Sequence, residues 1–118
     1  MNLSSKAERS LRKVWLSPSS VLDKEIEVSL YENLSKEIPD DTLQITEVIE
    51  EKNLKEVYGA FVPYMDEPEM VPFLVNYGNV VTCIGFGEHN DGFIYCYDPD
   101  FGCFLLDKDL EMFLSKLA

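Results

Sequence analysis

The side chains of this chain that could perform chemistry are few, and they lie in its C-terminal half. The chain has one histidine, His89, and three cysteines, Cys83, Cys96 and Cys103. A cysteine beside a histidine can act as an activated nucleophile. Three thiolates with one imidazole are also a ligand set that zinc accepts. Both chemistries require the fold to bring these residues together.

Their spacing argues against both chemistries. Structural zinc sites usually draw on close pairs such as C-x2-C, and the sequence has no such pair. If Cys83 lies opposite Cys96 in a hairpin, the thiols form a row across neighbouring strands while His89 sits in the turn. No cationic side chain lies close in sequence to lower a thiol pKa. We therefore expect no catalytic residue, no metal and no cofactor, and an enzyme or zinc protein is the least favoured alternative.

Closely spaced aspartates, as in a calcium-binding loop, occur in the segment Asp98-Pro99-Asp100-Phe101-Gly102. A calcium loop needs glycine at its sixth position and a bidentate glutamate at its twelfth. Counted from Asp98, Gly102 is fifth and Asp109 is twelfth. The segment therefore predicts a tight turn capped by an aspartate. An exposed turn also lacks the apolar pocket that would raise a carboxyl pKa for acid–base catalysis.

Charge is the most informative feature of the sequence. The 118 residues include 10 Lys plus Arg and 22 Asp plus Glu, which gives a formal net charge of -12. Between Lys55 and Lys108 there is no lysine or arginine, while nine carboxylates fall in that interval. This balance argues against nucleic acid as a partner, because binding a phosphate backbone depends on lysine and arginine. The acids either form a solvated face that maintains solubility or attract a basic protein and accelerate its association.

Aromatic residues are interleaved with these acids, and tyrosine is a common anchor in protein interfaces. A small-molecule partner is not expected. The predicted contacts with a basic protein combine acids from turns and strand ends with two strand tyrosines: Asp66, Glu67, Glu69, Glu88, Asp91, Tyr95, Tyr97 and Asp100.

Periodicity predicts helices first, then an antiparallel sheet of four to five strands, then one helix, which is an α+β fold. The first helix should end at Ser17-Pro18. A second helix should run from Ser19 or Ser20 to Pro39, because apolar residues recur every four positions. A third should run from Thr46 to Gly59, although residues 43–45 also fit a short strand.

Aromatic and β-branched residues predict strands after Gly59. Residues 60–65 and 71–77 each contain a proline, and each is predicted as an edge strand or as irregular at that point. Residues 80–86, 93–98 and 103–107 are predicted as a meander with apolar side chains on both faces, and a last helix should follow, capped by Asp107 or Asp109.

The chain is expected to form one domain, residues 1–118, because it shows no internal repeat or low-complexity linker. No stretch approaches the ~18 to 20 apolar residues of a membrane span, so no membrane partner is expected. The first residues lack the apolar run of a secretory signal, and three cysteines do not suggest a disulfide framework. These features favour a cytoplasmic protein.

Several short motifs resemble the SUKH superfamily, the Smi/Knr-like proteins. They are Cys83-Ile84-Gly85-Phe86-Gly87, the run Asp91-Gly92-Phe93-Ile94-Tyr95-Cys96-Tyr97-Asp98, Gly102-Cys103-Phe104, Leu106-Asp107-Lys108-Asp109 and Met112-Phe113-Leu114-Ser115-Lys116-Leu117, preceded by Phe61-Val62-Pro63-Tyr64. The likeness spans residues 61–117. It implies an α+β fold without enzymatic activity. No site residue transfers, because family members use divergent surfaces.

Many bacterial members of that superfamily are immunity proteins that neutralise a cognate toxin, often a nuclease from a secreted or contact-dependent growth inhibition system. The leading hypothesis is therefore an immunity protein, or antitoxin, that blocks the active site of a basic toxin domain stoichiometrically. The alternative is a regulatory adaptor or scaffold that binds a peptide or protein domain through its sheet face, as eukaryotic relatives of the superfamily suggest.

Overall fold

A six-stranded antiparallel sheet organises the protein in the computed structural model, which describes residues 1–65 and 69–118. The strands lie in the sheet in chain order: β1 (Glu25–Glu27), β2 (Thr42–Val48), β3 (Met70–Asn76), β4 (Val80–Gly85), β5 (Ile94–Asp98) and β6 (Gly102–Asp107). The helices are α1 (Ser5–Leu16), α2 (Glu32–Ser35), α3 (Leu54–Phe61) and α4 (Leu110–Ser115). The α+β class is confirmed, with slightly more strands than predicted. None of these described helices has the length and apolarity to cross a membrane.

The first and last helices form as predicted, because each has an oxygen-bearing cap and one apolar face. Ser4 caps α1 by accepting a hydrogen bond from the backbone N–H of Ala7 at 3.4 Å. Asp109, one of the two predicted caps, accepts from the N–H of Met112 at 2.8 Å at the start of α4. Their buried side chains include Leu11 and Phe113, which fix both helices on the sheet.

The predicted second helix is wrong. Residues 18–38 instead contain two 3₁₀ turns, β1 and the four-residue α2. A spacing of four is even, so residues such as Ile26 and Leu30 can also share one face of a strand. Pairing of Ile26 with Leu43 of β2 selects the strand at this point.

The predicted third helix starts too early. Thr46 belongs to β2, in which Leu43 and Ile45 are buried while their neighbours are exposed, the alternation of a half-buried strand. The alternative of a strand at residues 43–45 was therefore the better one. Helix α3 begins at Leu54 and passes through Gly59 to Phe61.

Neither proline-containing segment is the predicted edge strand, but the predicted irregularity is present at Pro72. Residues 60–65 are not a strand, since Pro63 lies in a 3₁₀ turn, Val62–Tyr64, that continues from α3. Strand β3 is internal, between β2 and β4, and is not an edge. Its Pro72 lies beside a register shift against β4, where a missing N–H disturbs the ladder least.

The predicted meander β4–β5–β6 is confirmed, but its register is shifted by one residue. Cys83 pairs with Tyr95, and Cys96 pairs with Thr82. Because neighbouring residues of a strand face opposite sides, this shift exchanges the predicted faces of β5 relative to β4. Gly78 and Asn79, in the turn before β4, have φ angles of 84° and 67°, as a tight reversal requires.

Both faces of the sheet are apolar, as predicted, and each has its own cover. The larger core joins α1 and α4 to one face, where Ile84, Ile94 and Cys96 are fully buried. On the opposite face a smaller cluster, defined here as the second cluster, consists of five buried residues with Phe61, Tyr95 and Cys103 packed around them. Its five buried members are Met65, Met70, Val81, Cys83 and Tyr97.

Both outer strands of the sheet, β1 and β6, have a contact that covers part of their free edge. On the β1 side, the backbones of Glu25 and Ala118 exchange two hydrogen bonds of 3.0 Å. On the β6 side, the Asn33 side chain donates to the carbonyl of Leu105 at 2.8 Å. An unpaired strand edge is a template for unwanted pairing, so these contacts limit self-association through the edges.

A polar network attaches α2 and α4 to the end of β6. The Asp107 carboxylate, 1% exposed, accepts from the Lys116 ammonium at 2.6 Å and from the Tyr31 hydroxyl at 2.7 Å. The Lys116 ammonium also lies 5.0 Å from the centre of the Tyr31 ring. Burial and the neighbouring carboxylate raise the pKa of Tyr31, so its hydroxyl stays a donor.

We expect Lys116→Met to lower the free energy of unfolding by about 2 kcal/mol, because it leaves the buried Asp107 carboxylate without its cation. Urea denaturation measures this change. Lys36→Met is the matched control, since Lys36 pairs with Glu32 on an exposed surface, and it should change stability by less than ~0.5 kcal/mol. Equal effects of the two substitutions would contradict a structural role for the Asp107 network.

Candidate functional site

The predicted contact acids that lie within the described residues do not form one patch. Glu69 and Glu88 lie at the end of the sheet where β3 begins and β4 finishes, and both are exposed. Asp100 lies beyond the far end of β5, whose five residues span about 16 Å at ~3.3 Å per residue. Asp66 and Glu67 lie outside the described residues.

The turn that carries Glu88, with the adjoining Glu69, is defined here as the acidic turn, and a buried asparagine shapes it. The Asn90 side chain accepts from the N–H of Gly87 at 2.8 Å and donates to the carbonyl of Glu69 at 3.2 Å. Asn90 is 0% exposed. His89 Nδ1 lies 3.7 Å from a carboxylate oxygen of Glu69. The acidic turn therefore presents its carboxylates from a fixed backbone.

Two of the predicted contact residues have contacts inside the protein. Asp91 is half-buried, and its carboxylate accepts from the Ser4 hydroxyl and, at 3.3 Å, from the N–H of Ala7. Tyr97 is 8% exposed, and its hydroxyl donates to the carbonyl of Tyr64 at 3.1 Å. Asp91 thus supports the start of α1, while Tyr97 belongs to the second cluster. Tyr95 is half-buried around the same cluster.

The predicted aspartate-capped turn is confirmed between β5 and β6. A carboxylate oxygen of Asp98 accepts from the N–H of Asp100 at 2.8 Å and of Phe101 at 3.3 Å. This geometry exposes Asp100 and leaves the Phe101 ring 45% exposed. Tyr77, 75% exposed, follows β3 at the same end of the sheet. We call Tyr77, Asp100 and Phe101 the aromatic end.

The predicted row of thiols is wrong, because the register shift places Cys96 on the opposite face from Cys83. Cys103 remains on the face of Cys83, with its sulfur 3.8 Å from that of Met70. Within residues 1–65 and 69–118, no group of three or more His, Cys, Asp or Glu side chains could hold a metal ion. Zinc binding through the three cysteines therefore has no geometric support.

Burial keeps the two inner thiols protonated. It raises the pKa of Cys83 well above the ordinary value. It also raises the pKa of Cys96 to about 12, with a further contribution from the charge of Asp98. Only a thiolate is an effective nucleophile, so neither group can begin covalent catalysis near neutral pH.

A groove of about 630 Å³, defined here as the Trp15 groove, lies between the end of α1 and β2. Trp15, Pro18, Leu22 and Val48 supply its apolar lining. The indole N–H of Trp15 donates to the carbonyl of Ile49 at 2.9 Å, which holds the ring in place.

Three glutamates form the rim of the Trp15 groove: Glu47, Glu50 and Glu51. None of the described residues that line it is a lysine or arginine. Lys52 pairs with Glu50 at 3.3 Å on an exposed surface, and the charge of Glu51 contributes, after Glu8, to a raised pKa of Arg12. The charge pattern of the sequence did not reveal this groove, because its acids precede Lys55 and fall inside the wrongly predicted helix.

Comparison with known proteins gives a match to a family model. The RhsPI model matches residues 20–118, which include all six strands and helices α2 to α4. The matched region contains the acidic turn, the aromatic end and most of the lining of the Trp15 groove. No curated protein matches the chain.

We expect Cys83 and Cys96 to resist alkylation by iodoacetamide in the native protein up to about pH 9, where an exposed thiol is largely ionised. Cys103, which is half-exposed, should react first. Mass spectrometry of the labelled peptides measures the three rates, and urea-unfolded protein is the control in which all three should react. Fast native labelling of Cys96 would contradict its burial.

We also expect Asp91→Ala to lower the free energy of unfolding by about 1 kcal/mol, because the first turn of α1 loses a charged acceptor. Thermal or urea denaturation measures the change. Asp100→Ala is the matched control, because the Asp100 side chain is exposed. An Asp91→Ala protein as stable as the control would show that Asp91 does not support α1.

Proposed function

The chain belongs to the RhsPI family, a family of Rhs-associated toxin-immunity proteins, and from this membership we propose that it binds and neutralises a cognate Rhs toxin. The match over residues 20–118 is the observation that carries the proposal. It agrees with the immunity class that the SUKH resemblance implies, without placing the chain in that superfamily. An immunity protein acts by binding, so no catalytic residue is required of it.

The proposed mechanism is stoichiometric occlusion of a basic, nuclease-type active site. A nuclease must attract a phosphate backbone, so its substrate cleft is rich in lysine and arginine. A protein of net charge -12 is attracted to such a cleft. Carboxylates of the immunity protein would occupy the positions of the phosphates and exclude the substrate. The cytoplasm, where a nuclease toxin meets its substrate, is the compartment in which this protection is needed.

The acidic turn and the aromatic end are the proposed contact surfaces. Glu69 and Glu88 stand on a backbone that Asn90 holds, so little conformational entropy is lost when they bind. At the aromatic end, Asp100 adjoins Phe101 in sequence and Tyr77 lies at the same end of the sheet, and both exposed rings suit a desolvated interface anchor. The predicted contacts Asp66, Glu67 and Tyr95 remain part of the proposal, whereas Asp91 contacts the start of α1 and Tyr97 belongs to the second cluster.

The proposal is tested with the toxin domain of a candidate cognate Rhs protein. Co-expression should restore growth to cells that produce the domain. The purified proteins should form a 1:1 complex, measured by size-exclusion chromatography with light scattering. Growth arrest despite co-expression, together with the absence of a complex, would overturn the proposal. A complex that leaves the toxin active would overturn occlusion alone.

Reversing two charges of the acidic turn, Glu69→Lys with Glu88→Lys, should slow association with the toxin domain by roughly tenfold at low salt. The same reversals should flatten the dependence of the association rate on ionic strength, which stopped-flow fluorescence measures. Glu37→Lys with Asp40→Lys is the matched control, because it changes net charge equally at another exposed site. If the two double variants associate at the same rate, only overall charge matters. An association rate that does not change with ionic strength would favour an apolar interface, as expected for a regulatory adaptor.

A further inference from the structure

The β1–β2 ladder ends before β2 does. Strand β1 pairs with Thr42 to Gln44, and Asp23 and Lys24 extend the backbone hydrogen bonding to Ile45 at 3.0 and 2.8 Å. Beyond that point the chain on the β1 side turns away into the 3₁₀ turn Pro18–Ser20. The last three residues of β2, 46–48, therefore extend past the end of β1 and line the Trp15 groove.

The Trp15 groove thus combines three features of a peptide site. It lies beside β2 at the point where the neighbouring strand β1 has ended. Its lining on the side of α1 is apolar, and its rim is acidic. Exposed sheet edges bind extended peptides by adding a strand, and neighbouring pockets select the side chains. The exposed pair between Glu50 and Lys52 is worth little in water, so a cation of a partner can replace Lys52 at small cost.

We propose that the Trp15 groove binds an extended, basic segment of the cognate toxin, which lies along residues 46–48 of β2. An apolar side chain of that segment would pack against Trp15 and Leu22, while its lysine or arginine side chains would contact Glu47 and Glu50. This inference rests on the proposed function, because it takes the toxin as the partner. It adds a third binding surface to the acidic turn and the aromatic end.

Charge favours the toxin over a second copy of this chain as the occupant. Two copies would each have a net charge of -12 and would bring their acidic rims together in the groove. Like charges in an interface oppose association, whereas a basic segment is attracted. The contacts that protect the β1 edge through Ala118 and the β6 edge through Asn33 leave residues 46–48 as the part of β2 that is open beside a groove.

Hydrogen exchange of the full chain, free and bound to the catalytically inactivated toxin domain, tests the inference. The backbone amides of residues 46–48 should exchange at least roughly tenfold more slowly in the complex. Leu22→Glu, in the apolar lining, should speed dissociation by at least about tenfold, since it places a buried charge in the interface. Leu30→Glu is the matched control, because Leu30 is 51% exposed elsewhere, and it should leave dissociation unchanged.

Each outcome has a distinct meaning. A stable complex with unchanged exchange at residues 46–48 and unaltered dissociation of the Leu22→Glu protein would overturn the groove inference and leave the immunity function standing. Protection of these residues in the free protein that grows with concentration would show that a second copy occupies the groove, which also overturns the inference. Failure to form any complex would overturn the proposed function and the groove inference together. Circular dichroism of the Leu22→Glu protein establishes that it is folded.

Discussion

The structure depends on the burial of two apolar faces of one sheet. A sheet with a single apolar face needs one cover, but strands β4 and β5 have buried side chains on both sides. Helices α1 and α4 close one face, and the end of α3 with its 3₁₀ turn closes the other. At about 25 cal/mol per Å² of apolar surface, this burial is the main favourable term of folding. The positions of the turns, edges and exposed acids follow from it.

The C-terminal half was predictable because its signals are local. Glycine and asparagine with positive φ mark the turn before β4, and Asp98 forms the cap that its sequence indicates. The N-terminal half was not predictable, because the spacing of its apolar residues fits both a helix and a strand. Ile26 recurs at a helical interval but pairs with Leu43, and this long-range contact decides the outcome. The register of β4 and β5 could not be predicted from local sequence either. A shift of one residue leaves the composition of the two strands unchanged but exchanges their relative faces.

The acidic character of the candidate site could be predicted from the sequence, but the positions of its residues in the fold could not. The sequence shows that acids dominate the interval from Lys55 to Lys108, but it does not show that Asp91 contacts the start of α1. That contact joins residues 84 positions apart in the sequence. The candidate contact acids that the structure describes as exposed lie at the two ends of the sheet and at the rim of the Trp15 groove. A partner that contacts more than one of these places must therefore be large, which suits a folded toxin domain better than a short peptide.

Trp15 is the only tryptophan of the chain, and its position has a practical consequence. Its indole ring lines the groove while its N–H is bonded to the carbonyl of Ile49. The emission of an indole responds to the polarity around it, so the protein carries a built-in optical probe at one defined location. Titration of an unlabelled ligand that lacks tryptophan can thus be followed by the emission wavelength of this one tryptophan, without attaching a dye to a thiol.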